Sequence, residues 1–236
     1  MEANPTITGL GQIGVVLRGE PERMMQWVQQ WSTRRVVLQV GVIFLGAGLY
    51  GASMGYWREP LQGLFVAIKF PMIILLTTLG NGLLNGMLAP LLGLNLSFRQ
   101  SFQAILMSFT IATAILGSFS PIVFFLVWNA PAMSAHVPGV YSFIQLIHVV
   151  LIAFAGVTAN LRLVELLQRL SGSVGIGRKV LFAWLAGNLF LGSQLCWILR
   201  PFIGAPGLPV EFLRAEAFKG NFFETVFRAI QNLFFS

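Results

Sequence analysis

Few side chains in this sequence are of a kind that does chemistry, and most of those lie inside apolar runs. Ser53 in Gly51-Ala-Ser-Met-Gly55 has the type of a nucleophile, and His148, in a different apolar run, that of its general base. His148, with Gln145 beside it, could also serve as a single axial ligand to haem or chlorin. As a metal ligand it lacks companions: the other histidine, His136, sits in a loop with no cysteine or aspartate cluster. Lys69 is a cation suited to an anionic substrate, although at the end of a span the default for such a side chain is to reach the headgroups. Asn81 and Asn85, four apart in Leu79-Gly-Asn-Gly-Leu-Leu-Asn-Gly-Met-Leu-Ala-Pro90, share a helix stripe and offer amides to a neighbouring helix, a bound water or a ligand. Gly11 and Gly14 are spaced for a phosphate loop, but no Lys-Ser/Thr follows them.

What is missing narrows the choice further. There is no aspartate, and none of the eight glutamates lies in a membrane core. Chemistry that needs an Asp nucleophile, an Asp dyad or an Asp-rich metal motif is excluded, and ion-coupled transport loses the carboxylate it ordinarily uses as a relay. Cys196 is the single cysteine, so no intrachain disulfide or thiolate metal cage can form. No catalytic residue, metal site or cofactor is expected.

The elements that carry these residues are membrane helices. The 236 residues are 56% hydrophobic and 10% charged, with a mean hydropathy of +0.77; a soluble domain has about 25% charged residues. Five spans are expected: Val36–Tyr56, Phe70–Leu92, Ala104–Trp128 with a kink at Pro121, Tyr141–Leu161 continuing as a charged helix through Arg169, and Val180–Leu199. Pro60–Ile68 reads as a segment skimming the interface towards Lys69. Gly51 and Gly55, and Gly82 and Gly86, are four-spaced pairs that let another backbone approach. Asn188 and Gln194 in the fifth span are neutral polar groups for interhelical hydrogen bonds, as is His148 on its simplest reading.

Three segments follow from this: 1–35, a cytoplasmic N-terminal segment; 36–200, the transmembrane domain; and 201–236, a Pro/Gly loop with a terminal helix. Gly9–Gly14 is loop-like. Pro21–Arg34 is a helix whose Trp27 and Trp31 place it along the interface. In the C-terminal segment Phe223, Phe227 and Phe234 share the apolar side of an amphipathic helix. Nine basic residues fall on the side of the N-terminus and six on the other, which places the N-terminus inside.

The span count and the run Arg58-Glu-Pro-Leu-Gln-Gly-Leu…Ala67-Ile-Lys-Phe-Pro71, leading into a Gly/Asn-bearing span, resemble the bacterial branch of the Yip1-like membrane proteins. The similarity covers about residues 57–129 and lacks the Asp-Leu-Tyr-Gly-Pro motif of the eukaryotic members. It implies a non-enzymatic multi-pass protein that works through partners or bilayer organisation. Gly51–Gly55 also resembles the serine motif of rhomboid proteases. Met54 stands where that motif has glycine, however, and Ser53 precedes the histidine span, the reverse of that family's order, so the run reads as a packing face.

The expectation is therefore an all-α polytopic helix bundle of about five transmembrane helices with amphipathic helices at both ends, in a bacterial inner membrane. Its expected role is that of an accessory or scaffold subunit packed against other integral membrane proteins, as a homo- or hetero-oligomer. Anionic lipid would lie at its cytoplasmic face, and no nucleic acid is involved. The alternative is a small channel or a lipid or solute transporter lined by Asn81 and Asn85; a pigment-binding subunit or an intramembrane enzyme ranks below these. The charge asymmetry makes topology testable. In intact cells, a cysteine at Ser173 should be shielded from a membrane-impermeant thiol reagent and one at Ser134 labelled; the reverse pattern would refute the N-in, five-span arrangement.

Overall fold

The computed structural model of the chain describes residues 9–133, 138–205 and 207–235. Among these there are eight helices and no strand: α1 (Gly9–Arg18), α2 (Pro21–Gln29), α3 (Thr33–Tyr56), α4 (Pro60–Leu91), α5 (Phe98–Asn129), α6 (Pro138–Ser171), α7 (Val174–Leu199) and α8 (Phe222–Phe235). α3 to α7 are long and apolar enough to cross a membrane, so the chain is an all-α polytopic bundle.

Several expected boundaries move. Gly9–Gly14 is helical rather than loop-like, and the helix begun at Pro21 stops at Gln29, with α3 starting at Thr33. The fifth span begins at Val174. The largest change is that Pro60–Ile68 does not skim the interface but forms the first turns of α4, one helix of 32 residues. Pro60 occupies the first turn, where its missing N–H costs nothing. Pro71 in the interior leaves the Ala67 carbonyl without its helical donor. Gly48 of α3 comes close to that carbonyl, a Cβ there lying only 3.3 Å from it, so a neighbouring helix covers the defect.

α3 is the centre of the bundle because it has glycine on two sides. A Cβ on Gly51 would stand 2.6 Å from the Val66 carbonyl of α4, and one on Gly55 would stand 2.6 Å from that of Gln62. On another side Gly46 meets the Thr113 carbonyl of α5, and a Cβ on Gly117 would lie 2.8 Å from the Gly46 Cα. α6 packs on α5 and α7, and α7 returns to α4. Gly82 and Gly86 also allow close approach, but their neighbours are Phe102 and Phe98 of α5 in the same chain.

The connections at the α1–α2 end are short and capped. α4 ends in a Schellman turn: Gly93 at φ +92° lets Leu94 N–H reach Ala89 O at 2.9 Å. Ser97 and Gln100 form a capping box on α5. Ser173 caps α7, and Gly177 presses on Gln168, closing the α6–α7 hairpin tightly at this end. α1 and α2 pack into the same end, burying Val16, Met24, Trp27 and Val28. Trp27 thus belongs to the core rather than the interface, while Trp31 is partly exposed beside Phe102 and Arg99. At the opposite end, here the Trp57 end, a second core joins Tyr50, Met54 and Trp57 to Val123, Val127 and Ile144.

These contacts order the glycines by cost. Gly51→Ala and Gly46→Ala force a methyl into backbone and should each destabilise by about 1–3 kcal/mol. Gly86→Ala meets Phe98 at 3.2 Å and should cost less. Gly156→Ala has nothing within 4 Å and should be neutral or stabilising by up to about 1 kcal/mol through helix propensity. Thermal unfolding of the detergent-purified variants measures the order.

Candidate functional site

Polar groups inside the bundle are largely spent on one another. Asn81 and Asn85 are both fully buried. Asn85 Nδ2 donates to Asn81 Oδ1 at 2.9 Å, and Asn81 Nδ2 donates to Asn188 Oδ1 at 2.5 Å and to the Trp184 carbonyl at 3.2 Å. This ladder bolts α4 to α7; Gly187 makes room for it, since a Cβ there would lie 2.5 Å from Asn81 Oδ1. Asn85 Oδ1 is the buried side-chain atom of the ladder with no partner among the described residues. His148 is buried and shares a 2.9 Å hydrogen bond between its Nδ1 and the Tyr50 hydroxyl, joining α6 to α3. Gln103 Nε2 donates to Gln39 Oε1 at 2.7 Å between α5 and α3. Such bonds contribute about 0.6 kcal/mol each on average in a membrane bundle. Ser53 donates back to the Leu49 and Tyr50 carbonyls of its own helix and makes no bond with His148. No group of three metal-ligating side chains occurs among the described residues, and His136 lies outside them.

The exception is the Trp57 end, where residues 200–205 and 207–221 run without regular secondary structure as a strap over the bundle. A strap of this kind carries carbonyls with no helical partner, and close to hydrocarbon they must be satisfied by side chains. Four side chains of the bundle do so. Gln62 Nε2 donates to Pro201 O at 2.9 Å and Phe202 O at 2.8 Å; Lys69 Nζ donates to Pro201 O at 3.1 Å and Glu211 O at 3.4 Å. The Tyr141 hydroxyl donates to Gly204 O at 2.9 Å, and an Arg58 guanidinium N–H to Leu208 O at 2.9 Å.

Lys69 therefore does not snorkel to headgroups. It is completely buried, because α4 begins nine residues before it and the strap closes over it. Its ammonium is flanked by the Phe212 and Phe65 rings at 5.1 and 5.9 Å. No carboxylate lies within 4.0 Å of it among the described residues, and Arg214 is near enough to repel it. Partial burial and Arg214 also hold Arg200, just beyond α7, below the ordinary arginine value, with Glu216 opposing them.

Between the strap and the helices lies a cleft of ≈ 430 Å³. Met54 and Phe70 form its back wall; Tyr141, Gln145 and Ile152 of α6 and Cys196 of α7 form its sides; Pro201–Ala205 and Arg214 cover it. A shallower depression continues from it along α6 past His148. The α6–α7 hairpin, tight at Gly177, thus has a strap-filled opening at its other end. Of the residues singled out from sequence, Gln145 and Cys196 line this cleft, while Lys69 and His148 lie beside it. Gln194 instead accepts the Phe222 N–H and starts α8, whose Phe223 stacks on Phe190. Phe227 is exposed, and the Phe234 side chain lies outside the described residues. Sequence reasoning missed Gln62, Tyr141 and Arg214. Gln62 and Lys69 are seven apart and would have appeared on one face had Pro60–Leu91 been read as one helix.

Removing the Lys69 donor should loosen the strap. Lys69→Met leaves the Glu211 carbonyl without its donor, at about 1–3 kcal/mol for a buried polar group left unpaired. The expected result is faster proteolytic cleavage within 200–221 in the purified variant, with the remaining chain still resistant.

Comparison of the chain with protein-family models, curated protein sequences and solved structures finds no match in any of the three.

Proposed function

We propose that this chain is a non-enzymatic accessory or scaffold subunit of a membrane protein complex, acting by binding through the flank formed by α6, α7 and α8. The observation that carries this reading is the uneven packing of the spans. In the most apolar stretches of α3, α4 and α5, 39% of residues are buried, against 17% in α6 and 6% in α7. Helix association in a bilayer depends on packing contacts and interhelical hydrogen bonds, with no hydrophobic drive between helices. α7 is held mainly by the asparagine ladder, by α6 and by the turn at Gly177, and it leaves Phe182 and Leu189 open. α8 begins on this same flank and shows Val226 and Phe227 outward. A span of another integral membrane protein, or of a second copy, would supply the packing that α7 lacks.

The internal hydrogen bonds weigh against the conduit alternative, since the Asn81 and Asn85 amides are inaccessible and bonded to each other. They weigh against a serine hydrolase too, since Ser53 and His148 point to different partners. The resemblance to bacterial Yip1-like proteins favours a partner-binding role in the inner membrane. The basic residues at the α1–α2 end favour an inside N-terminus and anionic lipid there.

Photo-crosslinking amino acids at Phe182 and Leu189, compared with Leu45 on the exposed side of α3, test the proposal in intact membranes. Discrete protein adducts from α7 but not from α3 are expected, and an adduct at twice the chain's mass would identify a second copy. Lipid adducts alone from all three positions would overturn it.

A further inference from the structure

We propose that the cleft under the strap binds one anionic amphiphile, with its acidic head group at Arg214 and its chain along Met54, Phe70 and Ile152. This site needs no protein partner, although Gln145 and Ile152 of α6 and Cys196 of α7 line it. Its size falls in the range of about 300–1,000 Å³ in which small-molecule sites are found, and its lining combines an apolar wall with a few polar groups at one end.

Charge decides the class of occupant. Arg214 covers the cleft, and Lys69 stands one layer behind it, donating to the carbonyl of the cleft-lining Pro201. Neither cation has a carboxylate within 4.0 Å among the described residues. The acidic residues nearby pair with neither: Glu211 and Glu216 line an adjoining depression together with Arg200 and Arg214 itself, and Glu216 pairs with Lys219. Two cations held together at the rim of a membrane, without a paired anion, form a poor arrangement until an anion joins them.

Geometry decides the rest. Gln145 is exposed on the cleft wall and makes no hydrogen bond among the described residues, and the Tyr141 hydroxyl, although donating to Gly204, keeps its acceptor capacity. A phosphate diester or carboxylate at Arg214 can accept from the guanidinium and from the Gln145 amide. The wall of Met54, Phe70 and Ile152 offers hydrogen-bond partners to nothing, so a free anion would leave most of the cleft unused. An alkyl chain attached to the anion fills it and can enter from the bilayer.

Cys196 lines the cleft and is the chain's one thiol, which supplies a site-specific readout. The full chain is placed in phosphatidylcholine nanodiscs with or without phosphatidylglycerol, and the rate of Cys196 modification by N-ethylmaleimide is followed by mass spectrometry. The wild type should react about tenfold more slowly with phosphatidylglycerol when about nine sites in ten are filled. Arg214→Gln should lose this dependence, and Arg228→Gln, on α8 away from the cleft, should keep it. Three results would overturn the proposal: equal rates in both lipids, equal slowing in Arg214→Gln, or equal slowing by inorganic phosphate in phosphatidylcholine alone. Should Arg214→Gln fail to fold, Ile152→Trp decides. It fills the cleft from α6 and should slow the reaction in both lipids to the same rate; a surviving dependence on phosphatidylglycerol would refute the site.

Discussion

The structure depends on how closely α3 can approach two other backbones at once. In lipid an apolar side chain gains nothing by leaving the bilayer for a neighbouring helix, so association rests on contact distance and on polar groups that need partners. Gly51 and Gly55 bring α4 against one side of α3, and Gly46 brings α5 against another. The three helices so formed make a compact half of the bundle. α6 and α7 are attached to it by discrete devices, the Tyr50–His148 bond and the asparagine ladder, and to each other by the Gly177 contact. The difference between the two halves explains why one end of the α6–α7 pair can hold a strap and a cleft while α3 to α5 remain closely packed.

Much of this was legible from residue types. Five apolar runs identified five spans, and the spacing of Gly51 and Gly55 pointed to a close contact that exists. Asn81, Asn188 and His148 could be recognised as groups needing interhelical partners, because an amide or imidazole in hydrocarbon has few other outcomes. Pairing was not legible: nothing local says that Asn81 meets Asn188 or that His148 meets Tyr50, since both are long-range choices of a packed bundle. Gly46 and Gly117 were missed because each contributes alone to the crossing, with no four-spaced partner to mark it.

The misreading of Pro60–Ile68 had a definite cause. Lys69 and Pro71 together look like a boundary, a cation at the headgroups followed by a helix start. In the folded chain the proline's freed carbonyl is met by Gly48, and the lysine is enclosed by residues far away in sequence. The cleft was illegible for the same reason, since its floor comes from α3 and α4, its walls from α6 and α7, and its cover from the strap.

The enclosure of Lys69 has a consequence for the order of biosynthesis. Its carbonyl partners are 132 and 142 residues downstream, at Pro201 and Glu211. At about 5–20 residues per second they emerge roughly 7–28 s after Lys69 does. For that interval α4 carries a cation with no native carbonyl to receive it, so the early helix must sit shifted towards the water, with Lys69 at the headgroups. α4 reaches its final depth only when the strap arrives, so a loop made long after the second span completes its insertion.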